Sequence, residues 1–294
     1  MNLLEFLRAE PAWLLAASAV LGLVTGSFLN VVIHRLPRMM QARWRSECLE
    51  YLRDLGETAL PRPEPAPFTL VVPRSRCPQC GHAIGALENI PVLSWLWLRG
   101  RCRGCGARIS ARYPVVELLT AALFTACAWR FGAGPAAAGA MALSGALVAL
   151  AFIDLDHQYL PDEITLPWLW AGLLLNVGNT FVSLQEAVIG AAAGYLVLWS
   201  VYRIFKAVTG KEGMGYGDFK LLAMLGAWLG WGALPGVILI SSVIGAATGL
   251  TLIALGRHRR EKPIPFGPYL AGAGWVMLVW GPEINRAYLA WLAA

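Results

Sequence analysis

Residues 136–154 read AAAGAMALSGALVALAFID: eighteen positions without a charge, followed by a carboxylate. A helix rises about 1.5 Å per residue and a bilayer core is about 30 Å thick, so this run is long enough to cross a membrane and to place Asp154 at its edge. The rest of the chain has the same character. Of its 294 residues, 57% are hydrophobic and only 14% are charged, against about 25% charged in an ordinary soluble domain. Further apolar runs occupy approximately 13–33, 115–131, 164–181, 187–205, 219–231, 234–255 and 266–280. The pattern predicts an all-α polytopic membrane protein with about eight transmembrane helices. The run at 219–231 is short and glycine-rich, which leaves a buried or half-spanning helix and a count of seven open. The first run is too long for a cleaved signal peptide and has only Arg8 before it, so it is expected to stay as an anchor.

Lys and Arg collect in the cytoplasmic loops of membrane proteins. The segment 35–112 holds thirteen arginines and six acids, which predicts a cytoplasmic insert. Alternating the spans from there puts Arg203, Lys206, Lys211 and Lys220, and then Arg257, Arg259, Arg260 and Lys262, on the same side. Only Arg8, Arg130 and Arg286 fall outside. The chain is thereby divided into an N-terminal transmembrane helix (1–34), the insert (35–112) and a membrane-embedded bundle (113–294). The basic excess reads as topology setting and contact with anionic membrane lipid; no DNA or RNA motif is present, and no nucleic-acid partner is expected. The proline-rich stretch 61–67 reads as a linker, and no repeat is apparent.

Two cysteine pairs stand in the insert, Cys77-Pro-Gln-Cys80 and Cys102-Arg-Gly-Cys105, with 21 residues between them. The two-residue gap lets both thiolates of a pair turn toward one ion, and Gly81 and Gly106 free the backbone for such knuckles. Four thiolates suit the tetrahedral preference of Zn²⁺ and leave no open position, so the expected role is structural, in a small zinc-ribbon-like unit. A reducing cytoplasm disfavours the disulfide alternative. Segment 89–98, with Trp95 and Trp97, is expected to pack on this unit or on the membrane surface. Cys48 and Cys127 have no partner at useful spacing and read as small hydrophobes.

Ionisable groups beside membrane spans are costly and commonly functional. Asp154 ends its run within Phe152-Ile153-Asp154-Leu155-Asp156-His157, and Asp218 opens a run after Gly213-Met214-Gly215-Tyr216-Gly217. On the orientation above, both reach the same face at similar depth. Two carboxyl groups brought together there share one proton, one acting as general base on water while the other polarises a carbonyl. Capping by Asp218 and headgroup solvation of Asp154 are the alternatives. Asp162, after Leu160-Pro161, reads as an N-cap, Asp156 as an assistant that holds water or substrate backbone, and Glu117 as a partner for an arginine or for neighbouring amides. His34 and His157 have none of the partners of a ligand or a nucleophile's base.

These residues resemble the bifunctional type IV prepilin peptidases, the prepilin leader peptidase and N-methyltransferase family. The likeness runs through Gly26-Ser27-Phe28-Leu29-Asn30-Val31-Val32, Arg35-Leu36-Pro37, both cysteine pairs, Asn89-Ile90-Pro91 and Arg112-Tyr113-Pro114 to Glu117. It continues through Asp154 with Leu160-Pro161-Asp162, the stretch from Gly210 to Lys220 and Pro265-Phe266-Gly267-Pro268. Leu160 stands where many members have Ile. The resemblance implies that Asp154 and Asp218 are the catalytic aspartates, the second in a Gly-x-Gly-Asp motif, in an enzyme of the cell inner membrane. The implied substrates are type IV prepilins and type II secretion pseudopilins, with a basic leader, Gly before the cut and usually Phe after it. The second activity it implies is N-methylation with S-adenosylmethionine, for which no glycine-rich strand-to-helix turn is visible and no binding residues are named. A transporter would not need a zinc-stapled insert or both acids on one side; an assembly subunit would need no acid pair.

Overall fold

In a computed structural model of the chain, the described residues are 3–57, 69–255 and 264–292. The linker at 61–67 and the basic residues Arg257, Arg259, Arg260 and Lys262 lie outside them. The α-helices are α1 (Leu3–Ala9), α2 (Pro11–Asp54), α3 (Leu93–Trp97), α4 (Arg112–Phe131), α5 (Pro135–His157), α6 (Asp162–Val177), α7 (Leu184–Thr209), α8 (Tyr216–Leu229), α9 (Leu234–Ala254) and α10 (Gly267–Leu292), and the eight apolar runs fall on α2 and on α4 to α10. Among the described residues, five helical stretches are long and apolar enough to cross a bilayer: α2, α4, α5, α7 and Trp231–Ala254. The protein is a multi-pass membrane protein. Two compact units are present, Ala19–Ala122 on one hand and Met1–Ser18 with Leu123–Ala294 on the other.

In the larger unit the centre is α8. It has 14 residues, about 21 Å of helix and too short to cross, and every residue from Leu221 to Trp228 is buried. A helix apolar on all sides belongs inside other helices, and α8 packs most extensively on α7, then on α6 and α10. Its last carbonyls would be orphaned in lipid, where no water can satisfy them. Asn176, fully buried on α6, resolves this by donating from Nδ2 to the carbonyls of Ala227 (2.9 Å) and Trp228 (3.1 Å). The Trp228 indole N–H donates to the Trp168 carbonyl at 2.7 Å. The chain then turns at Gly230, φ +75°, into α9, so the run at 219–231 forms a short helix buried among its neighbours, one of the outcomes that its length allowed.

Small residues make the α7–α8 contact possible. Gly190 and Gly226 face one another, so that a Cβ on Gly190 would fall on the Gly226 carbonyl oxygen, and one on Gly194 would lie 2.6 Å from that of Leu222. Backbone cannot yield as a flexible side chain does. Gly190→Ala is therefore expected to destabilise the bundle by about 1–3 kcal/mol, the cost typical of overpacking; thermal unfolding in detergent would read it as a lowered midpoint.

Sequence signals set the ends of these helices. Ser183 and Glu186 form a reciprocal capping box at the start of α7, and Gly210, φ +69°, closes its other end. Arg8 donates to the Ala133 carbonyl (3.1 Å), while Arg130 donates to Val279 O (2.7 Å) and pairs with Glu283 (2.9 Å), which Arg286 also approaches. The basic residues expected outside thus gather near the α4–α5 turn, at the end of α5 opposite Asp154.

In the smaller unit, the first span and the beginning of the insert are one helix. With 44 residues α2 runs about 66 Å, roughly twice the hydrocarbon thickness, and the expected boundary at 34/35 lies inside it. Cys48 sits exposed on its distal part, where its reading as a small hydrophobe finds no core to pack in. Cys127, in the larger unit, is buried with Sγ 3.4 Å from Ser144 Oγ, as that reading requires.

Candidate active site and metal centre

Three helix ends meet around the two aspartates. Asp154 lies in the last turn of α5, which stops where Gln158 adopts φ +58°. Asp218 is the third residue of α8, and the amide of Gly267, first residue of α10, donates to Asp154 Oδ2 at 3.0 Å. Both aspartates are buried, 5% and 8% exposed. Asp218 is within electrostatic reach of Asp154, and the Gly215 amide donates to its carboxylate. The N-termini of α8 and α10 both face this point, where the positive ends of backbone dipoles steady negative charge.

The expected N-cap readings are corrected here. The N-cap of α8 is Gly215, with no side-chain cap of its own; Asp218 stands three residues on, where its carboxylate accepts from that N-cap amide. For α6 the N-cap is Pro161, and Asp162 instead receives Lys220 Nζ on both oxygens, at 2.8 and 2.6 Å. This ion pair joins the segment that follows Asp154 to the helix that carries Asp218. Leu160 fills the space between: Cβ atoms on Gly217 and Gly267 would lie 3.0 and 3.1 Å from its side chain, and one on Gly267 would also lie 2.6 Å from Asp154 Oδ2. Glycine is needed at 267 because the carboxylate and Leu160 press on that backbone. Asp156 and His157 are exposed, and the His157 ring lies 5.9 Å from that of Tyr159.

The loop before Asp218 is braced from α7. Lys206 reaches Glu212 (2.6 Å) and the Tyr202 hydroxyl (3.2 Å); hydrogen bonding from Lys206, aided by its charge, holds the Glu212 carboxyl below the usual range. The rings of Tyr202, Tyr216 and Phe219 pack together with centroids 5.3–5.7 Å apart. Sequence reasoning missed the Gly267 amide and the Lys220–Asp162 pair. Pro265-Phe266-Gly267-Pro268 was visible as a motif, but nothing local says that its amide faces residue 154.

In the smaller unit the sulfurs of Cys77, Cys80, Cys102 and Cys105 all lie within 4.8 Å of one another. Sγ of Cys77 is 3.8 Å from that of Cys105, and Sγ of Cys80 is 3.9 Å from that of Cys102. A tetrahedron with Zn–S of about 2.3 Å has edges of about 3.8 Å, so this set fits zinc. Each pair sits on the same knuckle. Amides 77, 81 and 84 bond to carbonyls 82, 77 and 75, and amides 102, 106 and 109 bond to carbonyls 107, 102 and 100. Gly81 and Gly106 hold φ +73° and +71°, a backbone that side chains resist. This is a structural repeat that side-chain identities conceal, against the expectation of none. The amides of Cys80 and Gln79 bring the Cys77 thiol down to about 6. Cys80, although lowered by the His82 amide, is pushed up to about 12 by the neighbouring sulfurs, Cys105 first. All four sulfurs could be thiolates at this spacing only with a cation among them.

Glu117 does what the second of its readings held: its Oε2 accepts the Val92 amide at 2.7 Å.

Comparison with known proteins places these parts. The Bacterial Peptidase A24 N-terminal domain matches residues 20–131, and the Type IV leader peptidase family matches residues 141–250. The prepilin leader peptidase/N-methyltransferase of Aeromonas hydrophila is 59% identical over 98% of each chain. Proteins of the same name from Stutzerimonas stutzeri and Pseudomonas aeruginosa are 54% and 52% identical, again over 98% of each chain. No solved structure matches significantly. The four cysteines fall within the first matched domain and both buried aspartates within the second, and with relatives alike over nearly their whole length the chain belongs to the type IV leader peptidase family.

Proposed function

We propose that this chain is a membrane aspartic endopeptidase that removes the leader of type IV prepilins, and of type II secretion pseudopilins, and then N-methylates the new N-terminus. Asp154 and Asp218 are its catalytic dyad, and the observation that carries this reading is their burial together where α5, α8 and α10 end. One carboxylate takes a proton from water, whose oxygen adds to the scissile carbonyl carbon. The other, protonated, donates to the carbonyl oxygen. Collapse of the tetrahedral adduct breaks the C–N bond, and the departing amine takes the proton held by the base.

The site lies at the cytoplasmic face of the inner membrane. A substrate whose leader is in water and whose hydrophobic helix stays in lipid presents its scissile bond at that boundary, so much of the entropy of positioning is already lost before chemistry. Zinc, held by Cys77, Cys80, Cys102 and Cys105, stabilises the insert without an open coordination position. S-adenosylmethionine is the methyl donor. Among the described residues there is no strand leading through a glycine-rich turn into a helix, and no residue is assigned to the donor.

Incubating the protein in lipid with a prepilin and the methyl donor tests the reading, with mass spectrometry of the mature N-terminus. The expected product begins after the Gly and carries about 14 Da more than the bare amine, one N–H having become N–CH₃. An uncut substrate would refute the peptidase assignment, and a cut but unmodified one the methyltransferase.

A further inference from the structure

The five residues of α3 present Leu93, Leu96 and Trp97 at 64%, 58% and 79% exposure. Trp95 turns the other way, its indole N–H donating to the Ile109 carbonyl at 3.2 Å. The depth of this face relative to the bilayer is set by bonds to the spans. Asn30 on α2 donates to the Tyr113 carbonyl at 3.1 Å, and Cβ atoms on Gly26 and Gly22 would lie 2.7 and 2.5 Å from Cα of Glu117 and Ala121. The two helices are therefore side by side through this region.

α4 has 20 residues, about 30 Å and so one hydrocarbon thickness, which puts Arg112 at the boundary, where a guanidinium is tolerated. Glu117 is a turn and a half farther in, about 7 Å by helical rise. The Val92 amide, bonded to that carboxylate, begins α3 at the depth of about 5–10 Å at which interfacial amphipathic segments sit. Val92 itself holds φ +59°, a costly conformation for a β-branched residue; the bond to Glu117 holds the chain there against its local preference. Arg99 and Arg101, both exposed, follow directly and supply the charge that anionic headgroups attract. A Trp at this level matches the aromatic belt of membrane proteins.

We propose that Leu93, Leu96 and Trp97 are inserted into the boundary of the bilayer that the chain itself spans, and that α3 is an interfacial lipid anchor for the cysteine knuckles. The proposal rests on α2 and α4 crossing the membrane and is independent of the catalytic reading.

The test uses the full chain labelled with 5-fluorotryptophan in nanodiscs of phosphatidylethanolamine and phosphatidylglycerol. Fluorine resonances of Trp97 and Trp44 are assigned by loss in Trp97→Phe and Trp44→Phe; Trp44 lies on the distal part of α2. Doxyl-labelled lipid is expected to abolish the Trp97 signal and spare Trp44, and a water-soluble gadolinium chelate to do the reverse. Loss of the Trp97 signal to the chelate with survival in doxyl lipid would overturn the proposal. A Trp97 signal that leaves water only when a prepilin is added would also overturn it, in favour of a substrate-docking surface.

Discussion

Exchanging either Asp154 or Asp218 for asparagine is expected to lower prepilin cleavage by at least about a hundredfold, the low end of what a positioned acid or base contributes. Asparagine keeps the size of the side chain, so Asp154→Asn retains an oxygen for the Gly267 amide and the helix ends should stay assembled. What is lost is the ability to hold and release a proton. Because the two carboxyls act on one water and one carbonyl, the double variant should be little worse than either single one. Cleavage rates are read in membranes, with thermal unfolding as the check that the fold persists. Normal cleavage by both single variants would end the dyad assignment.

Removing one sulfur from the cysteine set has the other large expected effect. Cys77→Ser should abolish stoichiometric zinc by elemental analysis and make residues 69–111 susceptible to protease. Structural zinc contributes apparent binding energies of about 10–16 kcal/mol in zinc-finger peptides, much of it folding energy. The described part of the insert, 69–111, has no apolar core to hold it, only Cys77 and Gly100 being buried, and its other ties are single hydrogen bonds and bridges such as Arg76 to Ala83, Trp95 to Ile109 and Val92 to Glu117. Cys48→Ser, on the exposed side of α2, is the control and should keep its metal. Unchanged zinc in Cys77→Ser would contradict the four-sulfur centre.

The residues that could be read in advance are those whose meaning is local. Eighteen uncharged positions before Asp154 can only be a long apolar helix, because burying backbone in lipid demands internal hydrogen bonds. Cys-x-x-Cys spacing brings two sulfurs of one pair together by its own turn geometry. Asn176 and Gly267 carry no such signal. An asparagine in an apolar run looks like a flaw until α8 is seen to end against it, and the amide at 267 matters only because packing brings α10 to a carboxylate 113 residues earlier. Likewise Asp162 has the look of a cap, and only the approach of α8 gives it Lys220 instead.

Composition and spacing, then, were sufficient for a mostly helical membrane chain, its eight apolar helices and the four-sulfur set; for the two aspartates they left capping and headgroup solvation open, and the family resemblance is what implies the pair. Which helix is surrounded by the others, how its ends are satisfied and what touches each carboxylate were decided by tertiary packing. The reason is physical: hydrophobic periodicity and ligand spacing act within a few residues, whereas a buried hydrogen bond needs two partners whose separation along the chain is unrelated to their separation in space.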